Sequence, residues 1–227
     1  MKNNKLAEDF IKFHQSRNPQ MSSAAVGKQI RAYMSPTILE EREMNMTQMD
    51  VFSRLMADRI IFFGDEVNSN TSNIAVSQLL YLSSVDNEQD ITMYVNSPGG
   101  TVYDGLGIID TMMFVQPKVA TVCTGMAASM GSILLACGAR GKRSILPHAR
   151  VMIHQPMGGI DGQASDIEIT AREINKLKQE LYEILSIRSG KSVEEITKDA
   201  DRDYWMTAQE AKDYGLVDNV YEIDWNK

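Results

Sequence analysis

From residue 59 onward, short β-branched or aliphatic runs alternate with longer segments whose apolar residues recur at helical spacing. "RIIFF" (59–63), "ITMYV" (91–95) and "VATVCT" (119–124) predict strands. "SNIAVSQLLYLSS" (72–84), "VYDGLGIIDTMMFV" (102–115) and "AASMGSILLAC" (127–137) predict the helices that follow them. Three successive strand–helix units are the pattern of parallel crossovers, so the fold class is α/β. Two short strands come next, "RSIL" (143–146) and "RVMIH" (150–154), bracketed by Pro147 and Pro156. "MGGIDGQ" (157–163) then brings three glycines, which suit a flexible backbone or one approached closely by a ligand.

A long helix is predicted over "SDIEITAREINKLKQELYEILSIRSG", opened by a capping box of Ser165 with Glu168 and stopped by Gly190. Its apolar stripe is Ile167, Ala171, Ile174, Leu181 and Leu185. At roughly 35 Å it is longer than a domain of this size needs for its own core, which predicts a projecting tip and an oligomer contact. Capping boxes of Ser192 with Glu195 and Thr207 with Glu210 start two short helices before a final strand, "LVDNVY". Residues 1 to about 33 are polar and irregular, with one helix-like piece, "LAEDFIKFHQ", and read as separable from a domain spanning 34–227.

The run from Val119 to Ala139 carries no charge and is long enough to raise a membrane span. Its hydroxyl residues and glycines, with Lys118 before it and Arg140, Lys142 and Arg143 after it, favour a split at Gly125 into a buried strand and a buried helix. Composition supports a globular, non-membrane chain: 227 residues with 43% hydrophobic content suffice for one sizeable core. A net charge of −7 without a Lys/Arg run argues against nucleic-acid binding. Both cysteines, Cys123 and Cys137, lie in apolar stretches and read as buried thiols of a reducing cytoplasm, not as a disulfide or a metal site. The N-terminus lacks the apolar segment of a secretory signal.

Ser129 sits in "AASMG" at a strand-to-helix transition, the setting in which a nucleophile elbow exposes its hydroxyl, although Ala127 stands where that motif has glycine. The competing reading is small-residue packing. Ser132 falls one turn further on, where its hydroxyl is expected to bond a backbone carbonyl. Of three histidines, His14 lies in the extension, His148 in an apparent turn, and His154 at the end of "RVMIH", on the face opposite Val151 and Ile153. "NSPGG" (96–100) follows a strand and opens a helix, so amides near Gly99 and Gly100 are candidate oxyanion donors at the carboxyl end of the sheet. Without a Lys-Ser/Thr pair after the glycines, a P-loop is excluded. Spacing does not choose an acid among Asp161, Asp166, Asp199, Asp201, Asp203, Asp213, Asp218 and Asp224.

These residues resemble the ClpP family, the proteolytic subunits of the Clp protease. The matching stretches are "YVNSPGG", "GMAASMGSILLACGARGKR", "LPHARVMIHQPMGGIDGQASDIEI", "DRDYWMTAQEA" and "YGLVD", covering roughly residues 34 to 222. The resemblance implies a serine endopeptidase with crotonase/ClpP-like stacked β/α units. It makes Ser129 the nucleophile, His154 the general base and Asp203 the orienting acid, with the amides of Gly100 and Met130 as the oxyanion hole. It implies two stacked seven-membered rings around a chamber for unfolded polypeptides. A handle region of about 157–188, with its helix over 165–188, joins the rings. A Clp-type AAA+ unfoldase ATPase docks on clefts matching Leu80, Tyr94, Phe114 and Val122, and ATP belongs to that partner, so the chain itself is expected to need no cofactor or metal. Residues 1 to about 33 resemble a self-cleaved propeptide, cut near Tyr33 to Ser35. Two departures stand out: Met126, where many relatives carry Gln, and "EEREMNMTQMD", which lacks an Arg-Gly-Glu-Arg pattern. The readings weighed against the peptidase are a crotonase-like acyl-CoA enzyme and a non-catalytic ring subunit.

Overall fold

The computed structural model describes residues 37–42, 45–159, 161–224 and 226. It divides into two compact units, Met1–Arg54 and Leu55–Lys227. The extension expected over residues 1 to about 33, with its helix-like piece and His14, lies outside the described residues. In the first unit β1 (Thr37–Arg42) and β2 (Asn45–Asp50) form an antiparallel hairpin, which alternation along the sequence did not predict. The Asp50 carboxylate accepts from the backbone N–H groups of Phe52 and Ser53, where α1 (Val51–Ala57) begins.

The second unit is built on a seven-stranded sheet. Strands β3 (Ile60–Phe63), β4 (Ile91–Ser97), β5 (Val119–Ala128), β6 (Arg143–Ile145) and β9 (Asn219–Val220) lie side by side in that order and in parallel. Strand β7 (Arg150–Ile153) pairs in parallel with the far end of β5 and antiparallel with β8 (Tyr204–Met206). The helices are α2 (Ser69–Val85), α3 (Val102–Phe114), α4 (Met130–Ala136), α5 (Ala164–Ser189), α6 (Val193–Asp199) and α7 (Ala208–Tyr214). The α/β class and the three strand–helix units are as the pattern predicts. The final strand is shorter than "LVDNVY", and β8 was not anticipated in "DRDYWM", where no alternation marks it.

The uncharged run is explained by burial. All seven residues of α4 are buried, as are Val119, Thr121, Val122 and Cys123 of β5, so no charged side chain could be accommodated there. Among the described residues no helix is long and apolar enough to cross a membrane. Strand β5 does not end at Gly125, however; it continues through Ala128, with a register shift against β4 between Val95 and Ser97. Thr124, Gly125 and Met126 together face Asn96 alone, and a Cβ on Gly125 would lie 2.5 Å from Asn96 Oδ1. That oxygen accepts the Met126 N–H at 3.1 Å. Gly125 is thus the glycine of a strand bulge and not a terminator.

Helix α5 starts from Gln163, which makes no side-chain cap bond, so the expected Ser165–Glu168 box is not formed. Its 26 residues span about 39 Å. The apolar stripe is covered only in its second half: Leu181, Tyr182 and Leu185 are buried, whereas Ile167 and Ile169 are exposed. The two later capping boxes, Ser192 with Glu195 and Thr207 with Glu210, are both present.

Two buried arginines tie loops to helix ends. Arg59, expected at the start of a strand, instead adopts a left-handed φ of 62° before β3. Its guanidinium donates to the carbonyls of Leu82, Asp86, Gln89 and Asp90 at 2.8–3.1 Å, tying the last turn of α2 to the loop that leads into β4. Arg143 pairs with Asp218 through Nε and Nη2 and donates from Nη1 to the carbonyls of Ala136, Arg188 and Gly215. Burial alone would raise the Asp218 carboxyl, but the bonds from Arg143 outweigh it and hold the group below the usual carboxylate range. This pair therefore stabilises the fold above the ordinary carboxylate pKa, and its contribution is lost as pH falls through the lowered value.

Replacing Arg59 by Ala is expected to destabilise the protein by about 2 kcal/mol, because the buried Leu82 carbonyl and three part-buried ones lose a charged donor. The measurement is the shift of the urea unfolding midpoint at constant slope; an unchanged midpoint would contradict this account of Arg59.

Candidate active site

Ser129 stands between β5 and α4 with φ 53° and ψ −125°, backbone angles a residue with a side chain rarely adopts. It is held there on both sides. Its N–H donates to the Met152 carbonyl of β7 at 2.9 Å, and its carbonyl accepts both the N–H and the hydroxyl of Ser132. Ser132 is thereby fully buried and committed to that carbonyl, as its position in the sequence predicts. The strained turn lifts the Ser129 side chain out of the helix, as a nucleophile elbow does.

His154 leaves the end of β7, and Asp203 immediately precedes β8. Because β7 and β8 are antiparallel, with Ile153 opposite Tyr204, the next pair along the ladder is His154 with Asp203. The side chains meet: His154 Nδ1 lies 2.9 Å from Asp203 Oδ1, and His154 Nε2 lies 2.8 Å from Ser129 Oγ. An ionised carboxylate can only accept, so Nδ1 carries the proton toward Asp203 and Nε2 accepts the Ser129 hydroxyl. The His154 side chain is 13% exposed and that of Asp203 62%. Alternation along β7 separates no exposed face from a buried one before His154, since Val151, Met152 and Ile153 are all buried. Of the other candidate acids, Asp218 is engaged by Arg143 and Asp199 accepts the Tyr214 hydroxyl at 2.9 Å. His148 lies in the turn between β6 and β7.

The "SPGG" turn closes over Ser129. A Cβ on Gly99, whose φ is 94°, would lie 2.6 Å from Ser129 Cβ and 2.9 Å from the Met130 nitrogen. Gly100 bridges Val67, with Val67 N–H donating to Gly99 and Thr101 N–H to Val67, so the Gly100 N–H is directed to the opposite side. Met130 is the first residue of α4, where an amide has no partner within the helix. Its side chain turns away into the core, where Gly105 of α3 leaves room for it; a Cβ on Gly105 would come within 2.3 Å of Met130 Cγ.

The thiols do not compete as nucleophiles. Burial pushes Cys123 up to about 12 and Cys137 up to about 11. Among the described residues no group of three or more His, Cys, Asp or Glu is arranged to hold a metal ion. Of the four residues matched to a docking cleft, Phe114 is 80% exposed and Leu80 45%, Tyr94 is half-buried, and Val122 is buried in the β4–β5 pairing.

The family model described as Clp protease matches residues 42–224. The chain belongs to the Clp protease family. It is 60% identical over 216 residues to the ATP-dependent Clp protease proteolytic subunit of Bacteroides fragilis strain YCH46, covering 94% of this chain and 98% of that protein. It is 59% identical over 216 residues to the subunit of the same name from Bacteroides thetaiotaomicron, with the same two coverages. The corresponding Porphyromonas gingivalis subunit is 61% identical over 191 residues, 84% of this chain and 86% of that one. The relatives carry the name of a protease subunit, which leaves the acyl-CoA reading without support.

Two outcomes follow from this geometry. Gly99→Ala is expected to slow acylation of Ser129 by a fluorophosphonate about 100-fold, since the added Cβ displaces either the hydroxyl carrier or the Met130 amide. At pH 8 the native protein is expected to resist iodoacetamide at both cysteines, with roughly one thiol in a thousand or fewer ionised, and to take two adducts once unfolded, as read by intact mass.

Proposed function

We propose that this chain is the proteolytic core of an ATP-dependent Clp protease, a serine endopeptidase that cuts unfolded polypeptides to short peptides. The observation that carries the proposal is the continuous hydrogen-bonded series Asp203–His154–Ser129, with the Gly99–Gly100 turn and the free end of α4 set against the serine. His154 Nε2 takes the Ser129 proton as Oγ attacks the scissile carbonyl. The resulting oxyanion is bound by the amides of Gly100 and Met130, which need no reorganisation because turn and helix already fix them. The imidazolium, steadied by Asp203, then gives its proton to the leaving amine. Water activated by the same nitrogen releases the acyl group.

Assembly and partners complete the reading. Two stacked heptamer rings would cover the exposed first half of α5, where Ile167 and Ile169 otherwise face solvent. Leu80 and Phe114 offer exposed apolar surface for an AAA+ unfoldase, and the half-buried Tyr94 and buried Val122, paired across β4 and β5, complete the proposed cleft. ATP is consumed by that partner, and the chain itself needs no cofactor. Residues 1 to about 33 are a propeptide removed before activity, the handle region spans about 157–188, and the complex works in the cytoplasm.

Ser129→Ala is expected to lower peptide hydrolysis by about 10⁴-fold or more without loss of assembly, and Asp203→Asn by about 10²- to 10⁴-fold. The assays are cleavage of a short fluorogenic peptide and fluorophosphonate labelling, with native mass spectrometry reporting the oligomer. An assembled wild-type sample that neither cleaves the peptide nor forms the Ser129 adduct would refute the proposal.

A further inference from the structure

Asp203 is more exposed than His154 or Ser129, and the three residues before it, at the exit of α6, include two that are also exposed. What holds this short segment against β7 is Gln155, the residue directly after His154. Its backbone N–H donates to the Ala200 carbonyl at 2.7 Å, and its side-chain Nε2 donates to the Asp201 carbonyl at 2.8 Å. The remaining end of the amide, Oε1, accepts from Lys178 Nζ of α5 at 3.0 Å. A carbonyl can only accept and an ammonium can only donate, so these partners fix one orientation of the amide. Lys178 is itself placed over the Tyr182 ring, 5.5 Å from its centre, and the Tyr182 hydroxyl donates to the Ala200 carbonyl at 3.5 Å.

We propose that Gln155 is a positioning residue for the acid of the site: clamped by Lys178, it fixes the Ala200–Asp201 backbone and so holds the Asp203 carboxylate on His154 Nδ1. This role rests on the peptidase reading. It touches neither substrate nor the reacting atoms, so its loss acts on the chemical step and leaves peptide binding alone. It works only through Asp203, so its loss has no further effect once that carboxylate is gone.

The test uses the full-length assembled protein, a short fluorogenic peptide and a fluorophosphonate. Gln155→Met keeps the shape of the side chain and removes both of its polar ends. It is expected to lower kcat about tenfold with KM within twofold, at an unchanged melting temperature and oligomeric mass. In the Asp203→Asn background the same change is expected to alter the labelling rate by less than twofold. Lys178→Met, at a half-buried surface position, provides a second route should Gln155→Met not assemble; it is expected to lower kcat about threefold, with Lys178→Arg restoring it. The proposal is overturned if kcat is unchanged in both variants, if KM moves in place of kcat, or if Gln155→Met costs the same factor with and without Asp203. A wild type that forms no Ser129 adduct overturns both this proposal and the peptidase reading, whereas an active wild type matched by its variants removes this proposal alone.

Discussion

The bulge at Asn96 and Gly125 is the constraint from which the rest of the site descends. Up to Cys123, strand β5 is a central parallel strand between β4 and β6. Three residues then cross a single position of β4, and from Met126 onward the strand has a new neighbour, β7. Without that detour Ala128 would not lie beside Met152, and the Ser129 N–H would not reach the Met152 carbonyl. The bulge is stabilised by the Asn96 side chain, which occupies the space that any Cβ on residue 125 would need.

Once β5 meets β7, the remaining placement follows from ladders and not from individual side-chain contacts. The β5–β7 register brings the serine turn to the carboxyl end of β7, where His154 emerges. The β7–β8 register brings Asp203 opposite His154. The strain at Ser129 is tolerated because backbone bonds on both sides over-determine it: Met152 holds its N–H, and Ser132 twice engages its carbonyl. Close packing then completes the cradle, with Gly99, Gly105 and Gly131 each at a place where a larger residue would meet Ser129, the Met130 side chain or the Ser97 carbonyl.

Charge enters this fold chiefly as a means of satisfying backbone carbonyls. Arg59 collects four around the end of α2, and Arg143 with Arg188 collects those at the ends of α4, α5 and α7. The planar fork of a guanidinium suits this task because its donors diverge toward several acceptors at once. Away from the sheet, the first half of α5 carries the exposed Ile167 and Ile169, the feature that a larger assembly would explain.

By itself the sequence determined the elements with a clear period: the three strand–helix units, the buried uncharged run, the long helix and the two later capping boxes, all encoded by residues close together in the chain. Local chemistry also marked Ser129, Ser132, His154 and the paired glycines as worth attention, and family resemblance, not spacing, singled out Asp203. It misread Gly125 as an end because a glycine that terminates a strand and one that bulges it look alike until the opposing side chain, Asn96, is seen. It proposed a cap at Ser165 because the motif is local, while the start of α5 was decided elsewhere. Only the tertiary structure decided which of eight aspartates faces His154, since the choice rests on the register of an antiparallel pair 49 residues apart, and no local pattern records a register.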